Sequence, residues 1–167
     1  PIASSAASDV YKRQDPEEVY RQIALLGVDD ISMEIVTDDS YEFLKEGRRL
    51  KEKFGEITTI KVPCTPEGLK ACKLLSKEGI RVNVTLIFSA AQAVLASKAG
   101  AAYVSPFVGR VDDNSFDGLS LIEEIADIYE KQSRLYNFVD TEILSASIRN
   151  VGCLLYTSPS PRDHEQS

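Results

Sequence analysis

The sequence is poor in the residues that much of enzyme chemistry draws on. Its single histidine, His164, lies in a polar tail, so Ser-His-Asp catalysis, Cys-His catalysis and His-based metal binding have almost no material. The three cysteines, Cys64, Cys72 and Cys153, have neither an even count nor a metal-ligand spacing; they read as free thiols of a reducing compartment, the cytoplasm. No run of Lys and Arg occurs, and 19 basic against 26 acidic residues give a net charge of -7, which repels a phosphate backbone and sets nucleic acid aside as a partner. No apolar stretch approaches the ~20 residues of a membrane span, so the chain reads as soluble, with no membrane partner. No Gly-x-Gly-x-x-Gly turn follows any apolar run, which leaves a dinucleotide-binding reading without its phosphate loop. Catalysis, if present, must use Lys, carboxylates and hydroxyls.

What is present is enough for one domain: 167 residues, 43% of them hydrophobic. Residues 1–14 show neither helical nor strand period and no apolar signal core, and the tail from Cys153 to Ser167, with its Ser-Pro-Ser-Pro run, is equally aperiodic. Both ends read as non-native leader and tail, with disordered linker as the alternative for the tail. The expected folded unit is residues 15–152.

Within that unit, β-branched runs alternate with amphipathic stretches. Strands are expected over Ile31–Val36, Ile57–Val62, Arg81–Ile87, Ala102–Ser105 and Glu142–Ser147. Asp39 with Glu42 reads as a capping box for a helix stopping at Gly55. Thr65 followed by Pro66 opens a second helix that Gly79 closes, and Ser89 with Gln92 opens a third that ends at Gly100. After the fourth strand come a polar loop and a helix from about Asp117, with Leu121, Ile122, Ile125, Ile128 and Tyr129 on one face. A strand, capped helix and closing glycine every 20 to 30 residues or so is the rhythm of successive βα units in a parallel sheet. Strands apolar at both alternating positions further suggest helices on one face and a packed barrel interior on the other.

Lys61 stands at the carboxyl end of the second strand, in Thr58-Thr-Ile-Lys-Val-Pro63. Burial there would favour a neutral, nucleophilic amine; the alternative is an ammonium that snorkels to the barrel rim. Glu34 falls near the end of the preceding strand, and Asn83 and Thr85, two apart on the next, can share a face. In a barrel these groups converge at the carboxyl-terminal mouth, where they could hold water, relay protons and bind hydroxyls. Taken singly, Glu34 is equally a solvated strand end, and Asn83 and Thr85 satisfied polar residues. Arg110 after the fourth strand, with Ser147 and Arg149 after the fifth, could form a phosphate site or be ordinary surface residues.

The segments Ser32-Met-Glu34, Ile60-Lys-Val-Pro63, Asn83-Val-Thr-Leu-Ile-Phe-Ser-Ala-Ala-Gln92, Ser105-Pro-Phe-Val-Gly-Arg110 and Ala146-Ser-Ile-Arg-Asn150 resemble, in order and spacing, the strand-end motifs of transaldolases. The resemblance implies a (β/α)₈ TIM barrel of the class I aldolase type and transfer of a dihydroxyacetone unit between sugar phosphates in the pentose phosphate pathway, with no metal or organic cofactor. It implies Lys61 as the Schiff-base amine, Glu34 and Thr85 as the pair positioning a catalytic water, and Asn83 and Ser105 as contacts to the intermediate. Arg110, Ser147 and Arg149 would hold the phosphate. Related aldolases resembling fructose 6-phosphate aldolase, which cleave without transfer, carry Gln and Tyr where this chain has Glu34 and Phe107. Short-chain members form homo-oligomers, which is the expectation for a full-length form.

Three departures qualify that reading. The catalytic Asp of the family's first strand and the Thr-Asn-Pro motif of its second have no counterpart here, nor do the eighth strand and closing helix. About five of eight βα units are present, too few to close the barrel. This chain alone is therefore expected to be inactive and, with open edges and an uncovered apolar interior, prone to aggregate. Beside transaldolase stand a fructose 6-phosphate aldolase-type lyase and an inactive phosphosugar-binding barrel fragment.

Overall fold

A computed structural model describes residues 15–136 and 140–149. The expected leader and tail, Asn150 to Gly152, Cys153 and His164 lie outside the described residues. The elements run α1 (Pro16–Ala24), β1 (Ile31–Glu34), α2 (Ser40–Phe54), a 3-10 turn (Gly55–Ile57), β2 (Thr58–Pro63), α3 (Pro66–Lys77), β3 (Arg81–Ile87), α4 (Ala90–Lys98), β4 (Tyr103–Pro106), α5 (Val108–Asp113), α6 (Gly118–Tyr136) and β5 (Glu142–Ile143).

The strands form one parallel sheet in the order β1-β2-β3-β4-β5. That order decides the architecture. A doubly wound sheet reverses its strand order at a switch point, whereas each strand here pairs only with its neighbours in sequence, as in the wall of a βα barrel. The fold is α/β, a partial barrel of five strands with helices between them.

Local signals in the sequence explain most boundaries. Asp39 caps α2 by accepting from the amides of Tyr41 and Glu42 at 2.8 and 3.0 Å. The box is only half made, because Glu42 turns to Lys45 while Asp39 N–H donates to Thr37. Thr65 accepts from Gly68 N–H with Pro66 in the first turn of α3, and Ser89 accepts from Gln92 N–H at the start of α4. Two helices were not expected. α1 opens on Asp15-Pro16-Glu17, an N-cap followed by proline, and α5 occupies what the sequence suggested was loop. The fifth strand is also shorter than expected; beyond Ile143 only an isolated bridge joins Ala146 to Phe107.

The two faces of the sheet differ sharply. Ile31, Met33, Ile60, Val62, Val82, Val84 and Val104 join Phe43, Leu50, Leu75, Ala93 and Ile125 of the helices in one buried cluster; each of these side chains larger than alanine contributes roughly 1.5–3 kcal/mol when taken out of water. The alternate positions, Ser32, Glu34, Thr59, Lys61, Asn83, Thr85 and Ser105, are polar. The expectation of an apolar barrel interior is thereby corrected: period two puts the β-branched residues against the helices and polar residues inside.

Candidate active site

Register brings the candidate residues together. Glu34 pairs with Lys61, and Lys61 with Asn83, so three neighbouring strands present them side by side. Lys61 Nζ lies 3.7 Å from Glu34 Oε2. The full desolvation expected of the amine is not reached, since the Lys61 side chain keeps 32% exposure. Both residues open into a pocket of about 240 Å³ with Val36, Thr37, Asp38, Thr85, Leu86 and Phe107.

The hydroxyl of Thr85 donates to Val62 O at 3.2 Å, which commits its hydrogen and leaves a lone pair to accept from a ligand or water. Asn83 and Ser105 are both buried. Ser105 Oγ donates to Asn83 Oδ1 at 2.9 Å, and Asn83 Nδ2 donates to Ser32 Oγ at 3.3 Å. This chain across β1, β3 and β4 fixes the amide and leaves its second N–H uncommitted to another side chain. Phe107 meets Phe88 edge to face, with centroids 5.7 Å apart.

The three groups suggested for phosphate are arranged differently. Ser147 and Arg149 pack over the start of α5, where Val108 N–H donates to Ala146 O and bare Gly109 makes room for Ser147 O. Arg149 pairs with Asp113 at 2.9 Å. Arg110 lines a separate cavity with Phe88, Asn114 and Phe116, and is not among the residues that line the Lys61 pocket.

Sequence reasoning missed Tyr20, whose Oη accepts from Glu34 N–H at 3.0 Å and thereby steadies the strand end that bears the carboxylate. Burial pushes the Tyr20 phenol up, which keeps it neutral. The signal that could have found it was the Asp15-Pro16 helix start. Burial also raises the thiols: Cys64 upward, and Cys72 to about 12. Neither is a reactive thiolate. Among the described residues no group of three or more His, Cys, Asp or Glu could hold a metal ion, and no helix is long and apolar enough to cross a membrane.

A lysine at a parallel strand end, with a carboxylate and a hydroxyl beside it in one small pocket, suits amine chemistry on a carbonyl. A model of the Transaldolase/Fructose-6-phosphate aldolase family matches residues 4–155. The chain belongs to this family. It is 48% identical over 139 residues to a protein named probable transaldolase from Nitrosopumilus maritimus, covering 83% of this chain and 60% of that one. A probable transaldolase of Aquifex aeolicus is 52% identical over 134 residues, at 80% and 59% coverage, and one of Ruegeria pomeroyi is 49% identical over 142, at 85% and 63%. The chain thus spans about 60% of the length of these relatives. A crystal structure of a 4-hydroxy-2-oxoglutarate aldolase/2-deydro-3-deoxyphosphogluconate aldolase covers 77% of this chain and 76% of its own at 14% identity, with a TM-score of 0.34, a likeness too slight to carry an argument.

Proposed function

We propose that residues 15–152 are part of the barrel of a cytoplasmic transaldolase that moves a dihydroxyacetone unit between sugar phosphates of the pentose phosphate pathway through a Schiff base on Lys61. The ends, 1–14 and 153–167, stand outside that domain. The observation that carries the reading is the placement of Lys61 within 3.7 Å of Glu34, in one pocket with Thr85.

In this reading the neutral amine of Lys61 adds to the ketone carbonyl of the donor, and the carbinolamine loses water to leave an iminium. The iminium withdraws the electron pair of the neighbouring carbon-carbon bond, whose cleavage releases an aldose and leaves an enamine on the lysine. The enamine attacks the acceptor aldehyde; hydrolysis frees the new ketose. Each proton moves through a water held between the Glu34 carboxylate and the free lone pair of Thr85. Asn83, fixed by Ser105 and Ser32, turns its remaining N–H to a substrate hydroxyl, and Ser105 stands beside it. Arg110, Ser147 and Arg149 would bind phosphate, with Arg149 exchanging Asp113 for the ligand and Arg110 turning from its own cavity. No metal or organic cofactor enters, and the full-length form is expected to be a homo-oligomer.

Phe107 favours transfer over simple cleavage. It lines the pocket with no hydroxyl, where a phenol could protonate the enamine before an acceptor arrives.

The test is intact-mass analysis of the full-length protein after incubation with fructose 6-phosphate and borohydride. The expected result is one trapped dihydroxyacetone unit on the peptide containing Lys61, lost in Lys61→Met. An unchanged adduct in that variant would move the chemistry to another lysine. No adduct in a folded protein would favour phosphosugar binding without catalysis.

A further inference from the structure

Arg149 is held differently at its stem and at its tip. The stem lies against α5: a Cβ at Gly109 would stand 2.5 Å from Arg149 Cγ and 3.0 Å from its Nε, so the side chain comes this close only because the glycine is bare. The tip makes one hydrogen bond, from Nη2 to Asp113 Oδ2 at 2.9 Å. Gly109 and Asp113, four residues apart, share a face of α5, and the arginine lies along that face.

The contact at the tip is the weaker one. A guanidinium can meet a carboxylate through two N–H bonds at once, as Arg48 meets Glu78 from Nε and Nη2 at 2.7 and 2.5 Å. Asp113 takes a single bond, and the two side chains keep 48% and 51% exposure. An ion pair so exposed and singly bonded is held weakly and exchanges readily. Its loss leaves the stem against Gly109, so the guanidinium stays at the mouth. Asp113 stays as well, because Asp112 beside it accepts from Gly118 N–H at 2.9 Å and ties the end of α5 to the start of α6. A phosphate that takes two N–H groups of the arginine therefore displaces the carboxylate without moving the helix, and the carboxylate is at hand when the phosphate leaves.

We propose that Asp113 is a built-in competitor of phosphate at Arg149, an exchangeable counter-ion that lowers the affinity for phosphorylated substrate and speeds its release. The inference rests on the reading of Arg149 as a phosphate ligand. Two effects act in the same direction. The carboxylate must give up its bond before phosphate binds, and once displaced it remains on the same face of α5 as a negative charge near the phosphate. A sugar without phosphate does not engage Arg149 and feels neither effect.

The experiment is borohydride trapping on the full-length protein over a range of fructose 6-phosphate concentrations, with dihydroxyacetone, which carries no phosphate, as the parallel probe. Adducts are counted by mass on the Lys61 peptide. Asp113→Asn, which keeps the size and removes the charge, is expected to lower the half-saturating fructose 6-phosphate concentration about two- to fivefold, the range that an exposed ion pair spans. The value for dihydroxyacetone is expected to stay where it was, and Asp113→Ala to act in the same way. A gain of affinity is the opposite of what damage to α5 would produce. Arg149→Ala is expected to weaken fructose 6-phosphate alone, and Asp113→Asn added to it to recover little, because the two residues act through one contact. Unchanged or weaker fructose 6-phosphate saturation in the folded Asp113 variants, or an equal gain for dihydroxyacetone, would overturn the role of Asp113 and leave the phosphate reading of Arg149 standing. An Arg149→Ala protein that saturates like the unaltered one would overturn that reading and the role of Asp113 with it. Should no adduct form on Lys61, the same variants are compared by calorimetric titration with fructose 6-phosphate, with the same outcomes deciding.

Discussion

Gly109 has no functional group, yet the mouth depends on its bareness. A Cβ there would stand 2.0 Å from Ser147 O and 2.5 Å from Arg149 Cγ. The first clash is with backbone and cannot be relieved by a rotamer change. Gly109→Ala is therefore expected to push α5 off the end of β5, costing about 1–3 kcal/mol as overpacking does and displacing Ser147 and Arg149 together. Denaturant unfolding would read the first effect, and weakened phosphate binding at an unchanged Lys61 adduct the second. At this scale the sequence was most legible where residue type and strand position coincide, as at Glu34, Lys61, Asn83 and Thr85. It was silent on Leu86, which lines the pocket, because a period-two reading of Arg81–Ile87 assigns that side chain to the helices; a bulge between Val84 and Ile87 reverses the assignment without leaving a mark in composition. The partner of Arg149 was hidden for a related reason: Asp113 closes α5, a helix whose N-cap, Phe107, makes no side-chain capping bond.

Among the elements, α1 is held to α2 by charge. Glu17 bonds to both Arg49 and Lys53, and these hydrogen bonds hold its carboxyl at about 2, below the usual carboxylate range. The sign follows from linkage. A carboxyl whose pKa is lower folded than unfolded contributes its full stabilisation above the unfolded value, and that contribution is lost as pH falls through the folded one. The α1–α2 tether should thus loosen between the ordinary glutamate range and about pH 2. Amide exchange of α1 is expected to quicken over that window, and Glu17→Gln to show fast exchange already at neutral pH. Because Tyr20 of α1 braces Glu34, the loosening reaches the candidate site. Caps made α2, α3 and α4 legible from Asp39, Thr65 and Ser89, since each supplies an oxygen to an otherwise unpaired amide. β5 was overread: the run Glu142–Ser147 has strand-like residues, but only Glu142–Ile143 pairs as a ladder.

For the whole molecule, sequential order and one-sided helices were legible in the repeating strand, cap and glycine, because parallel neighbours need a crossover helix of that length. The polarity of the inner wall was not, since β-branched runs read as apolar throughout until alternation separates their faces. Five strands cannot enclose the site, and β1 and β5 end the sheet among the described residues. The 167-residue chain by itself is expected to show no transfer between fructose 6-phosphate and erythrose 4-phosphate in a coupled assay; clear turnover would show that the pocket works without closure. At the opposite end from the pocket, Asp30 Oδ2 accepts from Thr59 Oγ1 and Tyr103 Oη at 3.0 and 3.1 Å and forms an ion pair with Arg81 Nη1 at 2.8 Å. One carboxylate thereby fastens the starts of β2, β3 and β4 to the loop before β1. Side chains at the rim can then be exchanged for new substrates with little risk to the scaffold, whereas a change at Asp30 would be felt by every strand it ties. The sheet keeps its candidate site and its clasp at different ends, so that selection can revise one while leaving the other alone.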